Sequence, residues 1–269
     1  MLQALTLDVA KVVVVTVLLS FAAMEWRTGR FAPGASRQHT WVDLLSTLLV
    51  PGAILTTVLF TSEALFSAVF PAWVGALAGL PLWAMFAVLL VGDDMVQYSW
   101  HRLTHSVPML YSLHRCHHSA EYLSIRVVYR NNVFYYLIMP SIWLSGALLA
   151  LGLWPVYPLY VVCKMTVIIA AHSSVPWDAP LYRWAASRRV MWVVERVIST
   201  PATHSAHHGR HATDGVTHYK GNYGNFLFLW DVLFGTALIT RRRPTEFGLE
   251  KIEGWPPLRE FLWPIPPQT

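Results

Sequence analysis

The chain has 269 residues, 55% of them apolar and only 13% charged, where an average soluble domain carries about 45–50% and about 25%. With 13 Trp, 11 Tyr and 12 Phe and a mean hydropathy of +0.42, this composition excludes a disordered chain and a nucleic-acid binder and points to a bilayer as the solvent. The net charge of +5 therefore reads as a record of membrane topology, not as the mark of an acidic ligand.

In chain order, residues 5–24 form a first apolar stretch with Asp8 and Lys11 near its start and no clear cleavage site after it, so it reads as a retained anchor. A second run covers 41–60, with Asp43 at its entry. Residues up to Phe70 are expected to continue it as an interfacial or re-entrant segment before Pro71 restarts the chain. A third span is expected at 72–91. Residues 133–153 and 155–171, joined by Gly152 and Trp154-Pro155 without an intervening charge, read as a transmembrane hairpin.

Arg27, Arg30 and Arg37 lie between the first two spans, while the connections near 61–71 and 152–156 hold no Lys or Arg. The basic-residue rule then puts the N-terminus outside and everything after Asp93, except the hairpin, on the cytoplasmic side. Cys116 and Cys163 fall on that side and inside a span, so no disulfide framework is expected. The expected fold is all-α: a multi-pass bundle of roughly four to five spans with a cytoplasmic helical cap carrying a histidine-rich dimetal site. As a single domain it divides into N-terminal spans (1–100), first histidine boxes (101–132), hairpin (133–171) and cap with a third box (172–269).

Eleven of the 12 histidines follow position 100. His101 and His105 are four apart, so a helix puts both on one face. The spacing HxxHH then occurs twice, as His114, His117, His118 and as His204, His207, His208. At this histidine frequency one copy is expected roughly 0.02 times per chain, which rejects coincidence for two. His172 returns from the hairpin to the same face. His39, His211 and His218 read as ordinary structural histidines. Neutral imidazole ligates Fe(II), Zn and Cu, and eight or nine exceed the needs of one ion, so two metals is the simplest count. Carboxylate-bridged Glu-x-x-His pairs and an HExxH zinc site are absent from the clusters. A histidine-rich iron pair at a membrane surface suits oxidation of an unactivated C–H bond.

The stretches HRLTH at 101–105, HRCHHSAE at 114–121, THSAHHGR at 203–210 and GNYGNFLFLWDVLFGT at 221–236 resemble the fatty acid hydroxylase / sterol desaturase superfamily of integral-membrane di-iron enzymes. The resemblance covers about half the chain, 94–236, and its HHGR and NYG wording is nearest the alkylglycerol monooxygenase-like branch. It implies metal-ligand roles for His101, His105, His114, His117, His118, His204, His207 and His208, with His172 as the further ligand. It departs where an Asn usual after the second box is replaced around Leu123 and Ser124, and where Ser174 stands near His172 in place of a frequent Asn; His211 or His218 is a candidate to supplement His172.

Asp94, on one helical stripe with Gln97, His101 and His105, is a candidate for orienting an imidazole, against the plainer reading that it marks where the helix leaves the bilayer. Asn222, with Glu121, Arg130 and Asp231, matches polar positions of the family that hold histidines or brace the cap. Lys164 reads as a snorkelling or buried structural cation or as part of a polar pocket for a lipid headgroup. The expected activity is O2-dependent hydroxylation of an aliphatic C–H bond in a fatty acyl, ether-lipid or sterol substrate, with two iron ions as cofactor, zinc being able to occupy such imidazole sites during preparation. No iron–sulfur, flavin, nucleotide or haem motif is evident, so electrons are expected from a separate ferredoxin, b5-like protein, reductase or pterin. Desaturation on the same metals stays open, as do a zinc hydrolase and, from another class, a membrane metal-binding or transport protein. The host membrane is expected to be a bacterial inner membrane or the endoplasmic reticulum.

Overall fold

The computed structural model describes residues 2–250 and 255–265, with side chains from Leu7 onward; the parts of the expected C-terminal cap at 251–254 and 266–269 lie outside the described residues. Among these every regular element is a helix, with two isolated antiparallel bridges, Ile198 to Leu227 and Gly209 to Phe247, and no strand.

Helix α1 (Leu2–Arg27) contains neither Gly nor Pro and ends on a basic turn that suits the helix dipole. Its exposed Val12, Val15 and Leu19 give it the apolar outer surface of a helix solvated by lipid. Helix α2 (Arg37–Leu49) starts at Ser36, whose hydroxyl accepts from His39 N at 3.2 Å. Pro51 lacks an N–H, and the helix answers with a π-turn at Val50–Ile54 before continuing as α3 (Leu55–Val69). Residues 61–69, expected as a re-entrant segment, are therefore the continuation of one long helix.

Among the described residues, three segments are long and apolar enough to cross a membrane: Leu7–Arg27, Arg37–Val69 and Val133–Leu153. The run 72–91 is not one helix. Pro71, Gly75, Gly79 and Pro81 break it, and residues 74–80 form turns whose amides bond the hairpin instead, Gly75 N to Ala150 O at 2.9 Å and Leu77 N to Leu151 O at 2.8 Å. Helix α4 (Leu82–Ser106) begins only after Pro81 and carries Asp93, Asp94, Gln97, His101 and His105 down its length.

After α5 (Pro108–His118) and the short α6 (Val133–Leu137), α7 (Pro140–Leu148) packs on α3 so tightly that a Cβ at Gly146 would sit 2.5 Å from Leu59 O. Gly152, at φ 111, turns the chain into α8 (Tyr157–His172). This hairpin falls where the apolar pattern puts it, although α8 is shorter than a full span. The remaining helices are α9 (Ala179–Arg183), α10 (Ala185–Val197), α11 (Pro201–His208), α12 (Leu229–Phe234) and α13 (Pro257–Leu262). Helix α11 is set by Pro201 at its first turn and a reciprocal Thr200–Thr203 capping box. A core of Trp100, Leu113, Tyr135, Tyr136, Ile168 and Ile169 lies between α1, α4, α5 and α8 and fixes the ends of the helices that bear the histidines.

Candidate metal centre

Four helix ends deliver nine imidazoles to one place. His101 and His105 come from the last turns of α4, His114, His117 and His118 from α5, His172 from the end of α8, and His204, His207 and His208 from α11. They sort into two groups whose ligand nitrogens lie within 4.8 Å of one another: His101, His105, His114, His118 and His207 in the first, and His117, His172, His204 and His208 in the second. The groups share a wall, because the His118 and His208 rings stack at 4.5 Å and the His114 and His117 rings at 5.1 Å. All nine are buried except half-buried His105.

The tautomers follow from the partners. His101 Nδ1 donates to Tyr223 O and His207 Nδ1 to Gly221 O, each at 2.7 Å; a carbonyl only accepts, so each neutral ring has spent its one N–H. The two Nε2 atoms approach to 3.0 Å, lone pair against lone pair. His117 and His172 repeat this in the second group: their Nδ1 atoms donate to Arg130 O and Ile168 O, and their Nε2 atoms are 3.4 Å apart. Protonation does not relieve the contact. Burial pushes His101 down to about 4, and burial together with neighbouring imidazoles holds His105, His114, His117, His118, His204, His207 and His208 well below the usual range.

Two nitrogens about 2.1 Å from one cation are about 3.0 Å apart at a right angle and about 3.4 Å apart at the tetrahedral angle. The spacing of the rings thus fits a shared cation, and so does His105 Nε2, buried without a hydrogen-bond partner. An all-imidazole set of this kind suits Fe, Cu or Zn over Mg or Ca.

Asn222 serves the first group without touching it. At φ 54 it occupies the left-handed region that Asn tolerates, and its side chain is clamped on three sides: Nδ2 donates to Thr203 O and Leu238 O at 2.9 Å each, and Oδ1 accepts from Leu238 N at 2.7 Å. That turn aims the carbonyls of its two neighbours at His207 and His101. Asp231 fixes the same loop by accepting from Tyr223 N at 2.8 Å and Gly224 N at 2.6 Å. Asp94 does not orient an imidazole: its carboxylate accepts from Leu227 N at 3.1 Å and from the Trp230 indole at 2.9 Å, which ties α4 to the segment entering α12. Arg130, fully buried, both presents its carbonyl to His117 and pairs with Asp43 at 2.9 Å. Glu121 lies at the surface beside Arg210.

Neither His211 nor His218 enters a group; the first pairs with Glu246 and the second meets Thr236 O. His39 contacts Arg130, also away from both groups. Asn131, which the motif reading passes over, accepts from His114 Nδ1 at 2.9 Å. Ser124 and Ser174, the two departures from the family wording, share one partner. Buried Glu25 accepts from Ser124 Oγ at 2.6 Å, Ser174 N at 2.8 Å and Ile125 N at 3.2 Å.

A cavity of about 530 Å³ begins at His101, His114, His117 and His172 and runs between α1, α3, α7 and α8 along chiefly aliphatic and aromatic walls. A buried cluster of histidines at the end of an apolar chamber is equipped to bind a transition metal and to hold an aliphatic chain beside it.

Residues 86–236, which contain all nine clustered histidines, match the family model described as fatty acid hydroxylase. Among curated proteins, the chain is 28% identical over 155 residues to alkylglycerol monooxygenase of Danio rerio, covering 57% of this chain and 30% of that protein. The corresponding Homo sapiens protein is 27% identical over the same shares, and that of Xenopus tropicalis 24% identical over 62% of this chain and 33% of its own length. The chain spans about a third of the length of these relatives. No solved structure matches. More than half of the chain, including the whole histidine cluster, thus falls within one family, and the protein belongs to the fatty acid hydroxylase family, in its alkylglycerol monooxygenase-like branch.

Proposed function

We propose that this chain is a membrane di-iron monooxygenase that hydroxylates an aliphatic C–H bond of a lipid, in the range of fatty acyl, ether-lipid and sterol substrates, using O2 and electrons from a separate donor. The observation that carries this reading is the set of paired imidazole nitrogens lining an apolar cavity. His101, His105, His114, His118 and His207 would hold one iron, and His117, His172, His204 and His208 the other. When bound, the metals supply the oxidising chemistry for O2-dependent C–H cleavage.

The protein's own groups position and exclude. Backbone carbonyls of residues 130, 168, 221 and 223 and the Asn131 amide fix ring orientation and keep Nε2 free. The depressed basicity of the buried rings keeps them neutral, as metal ligation requires. The cavity walls hold the chain and keep water from the reacting carbon.

The proposed topology is multi-pass, with roughly four to five crossings, the N-terminus outside and the metal site at the cytoplasmic face. The arginines at 27, 30 and 37 support it, as does Glu25, which bonds Ser174 just beyond His172 and so brings the Arg27 end of α1 to the metal site. Exposed Trp184, Trp192, Val193 and Phe234 suit a cap resting at the headgroup level.

The test is lipid mass spectrometry of cells expressing wild type or a His117→Ala/His207→Ala double variant under 18O2. The expected result is a lipid that gains one 18O only with wild type. Loss of two hydrogens without label would reassign the reaction to desaturation. No oxidised lipid from an iron-loaded, electron-supplied preparation would refute an oxidase.

A further inference from the structure

Away from the histidines, the apolar cavity carries a polar segment where α4 faces α8. Asp93, fully within the helical bundle, accepts from Ser145 Oγ at 2.9 Å, Tyr160 Oη at 2.5 Å and the Lys164 ammonium. Lys164 is 14% exposed and, with Asp93, Tyr160 and Gln97, lines the same chamber as His101 and His172. An ammonium has three N–H groups, and Asp93 is the acceptor it meets here. One turn along α4, Gln97 is 8% exposed and its buried Oε1 has no hydrogen-bond partner. A buried acceptor left unmatched costs stability, as does an ion pair inside an apolar bundle; helix packing alone would be met by apolar side chains.

The two unmet requirements are complementary. Lys164 offers donors to the cavity, and Gln97 offers an acceptor. A hydroxyl group satisfies both at once, because it accepts and donates. An ionised carboxylate accepts from Lys164 but has no proton to give Gln97 Oε1. It also leaves the Asp93–Lys164 pair with a net buried negative charge, whereas a hydroxyl keeps the cluster neutral.

We propose that Lys164 and Gln97 form a subsite for a hydroxyl group of a neutral lipid, held beside the Asp93 carboxylate. This rests on the reading of the cavity as the lipid site and adds the residues that would select a hydroxyl-bearing amphiphile over a free fatty acid anion. The subsite also sets the register of the chain. Residues 93, 97 and 101 are successive turns of one α4 stripe, so Gln97 lies about 6 Å and Asp93 about 12 Å along the helix from His101. His101 leans back toward Gln97, since helical side chains tilt toward the N-terminus. The carbon presented to the histidines is thereby a fixed, small number of bonds from the anchored hydroxyl.

The test is equilibrium binding to the full chain in nanodiscs, without electron donor, using three probes of equal chain length: hexadecan-1-ol, hexadecanoate and hexadecane. Wild type is expected to bind hexadecan-1-ol about tenfold more tightly than either other probe, the scale of one well-made buried hydrogen bond. Gln97→Leu, which leaves the Asp93–Lys164 pair intact, is expected to reduce that preference to within about twofold while hexadecane binding is unchanged. The Asp93→Asn/Lys164→Met double variant, which removes both charges together, is expected to do the same. Equal or tighter binding of hexadecanoate, or an undiminished preference in Gln97→Leu, would overturn the subsite. Because no turnover is involved, these results are independent of the 18O2 experiment. A preserved hexadecan-1-ol preference in a chain that oxidises nothing would sink the oxidase and keep the subsite.

Discussion

Asn222 makes the sharpest prediction, because its side chain touches no histidine and yet two of the first group depend on it. Replacing it by Gly keeps the left-handed backbone accessible and deletes three hydrogen bonds, to Thr203 O, Leu238 O and Leu238 N. At about 1 kcal/mol each this costs about 3 kcal/mol, and Asn222→Ala adds about 1 kcal/mol for a Cβ at φ 54. The released turn no longer aims Gly221 O at His207 and Tyr223 O at His101. Loss of such orienting acceptors lowers metal affinity by roughly 10–100-fold. The second group takes its orientation from Arg130 O and Ile168 O, which lie on other segments. The expected outcome is selective: after dialysis against a weak chelator, metal per chain measured by mass spectrometry falls from two toward one in Asn222→Gly, with helical circular dichroism retained. Asn222→Asp keeps the bond from Leu238 N and is expected to show a smaller loss in the same direction. Simultaneous loss of both ions, or no loss in a variant destabilised by this amount, would refute the division of labour between the two groups.

The metal-free protein is expected to lose stability as pH falls from about 6.5 to about 4. Rings such as His101 have a folded value near 4, so over that window the unfolded chain binds more protons, with a slope of up to about 1.4 kcal/mol per pH unit per ring; a melting temperature flat across this range would contradict it. Gly146→Val drives a side chain onto Leu59 O and Ser62 and is expected to cost about 1–3 kcal/mol, read as a lower unfolding midpoint in detergent. Arg130→Met removes one of the two guanidinium partners of buried Asp43, with Arg126 and the Tyr122 hydroxyl remaining, and is expected to cost about 1.5–3 kcal/mol, the scale of a hydrogen bond to a charged group. Adding Asp43→Asn should recover part of that, and a purely additive double variant would show that the pair is not coupled.

The histidine cluster is legible in the sequence because imidazoles at i, i+3 and i+4 announce a shared helical face, and all nine of its members are marked by spacing or by their place after an apolar run. What orients them is hidden for a physical reason. Four of the five Nδ1 acceptors are backbone carbonyls, and a carbonyl has no residue signature; only Asn222, in the GNYG turn, betrays that two of them share a hinge. Hydropathy likewise marks 72–91 as one apolar run, yet it does not register that Pro71, Gly75, Gly79 and Pro81 outweigh it once the hairpin offers Ala150 O and Leu151 O to the freed amides. Asp94 was visible as a costly carboxylate but not as the partner of Trp230, since 136 residues separate them.

The two departures from the family wording lead to one residue that spacing could not select. Ser124 follows the second box and Ser174 follows His172, and in the fold both reach the carboxylate of Glu25 near the end of α1. The histidines on either side belong to the second group, His117 on α5 and His172 on α8. Glu25 therefore links the first apolar helix to both segments that carry this group, by three hydrogen bonds that cross about 100 to 149 positions of sequence. A short polar side chain at 124 and a backbone amide at 174 are what a fully buried carboxylate needs, since an unpaired one would be costly there. The altered position at 124 thus reads as a local exchange of partner beside the second group, whereas at 174 the bond comes from the main chain, which any residue but proline supplies.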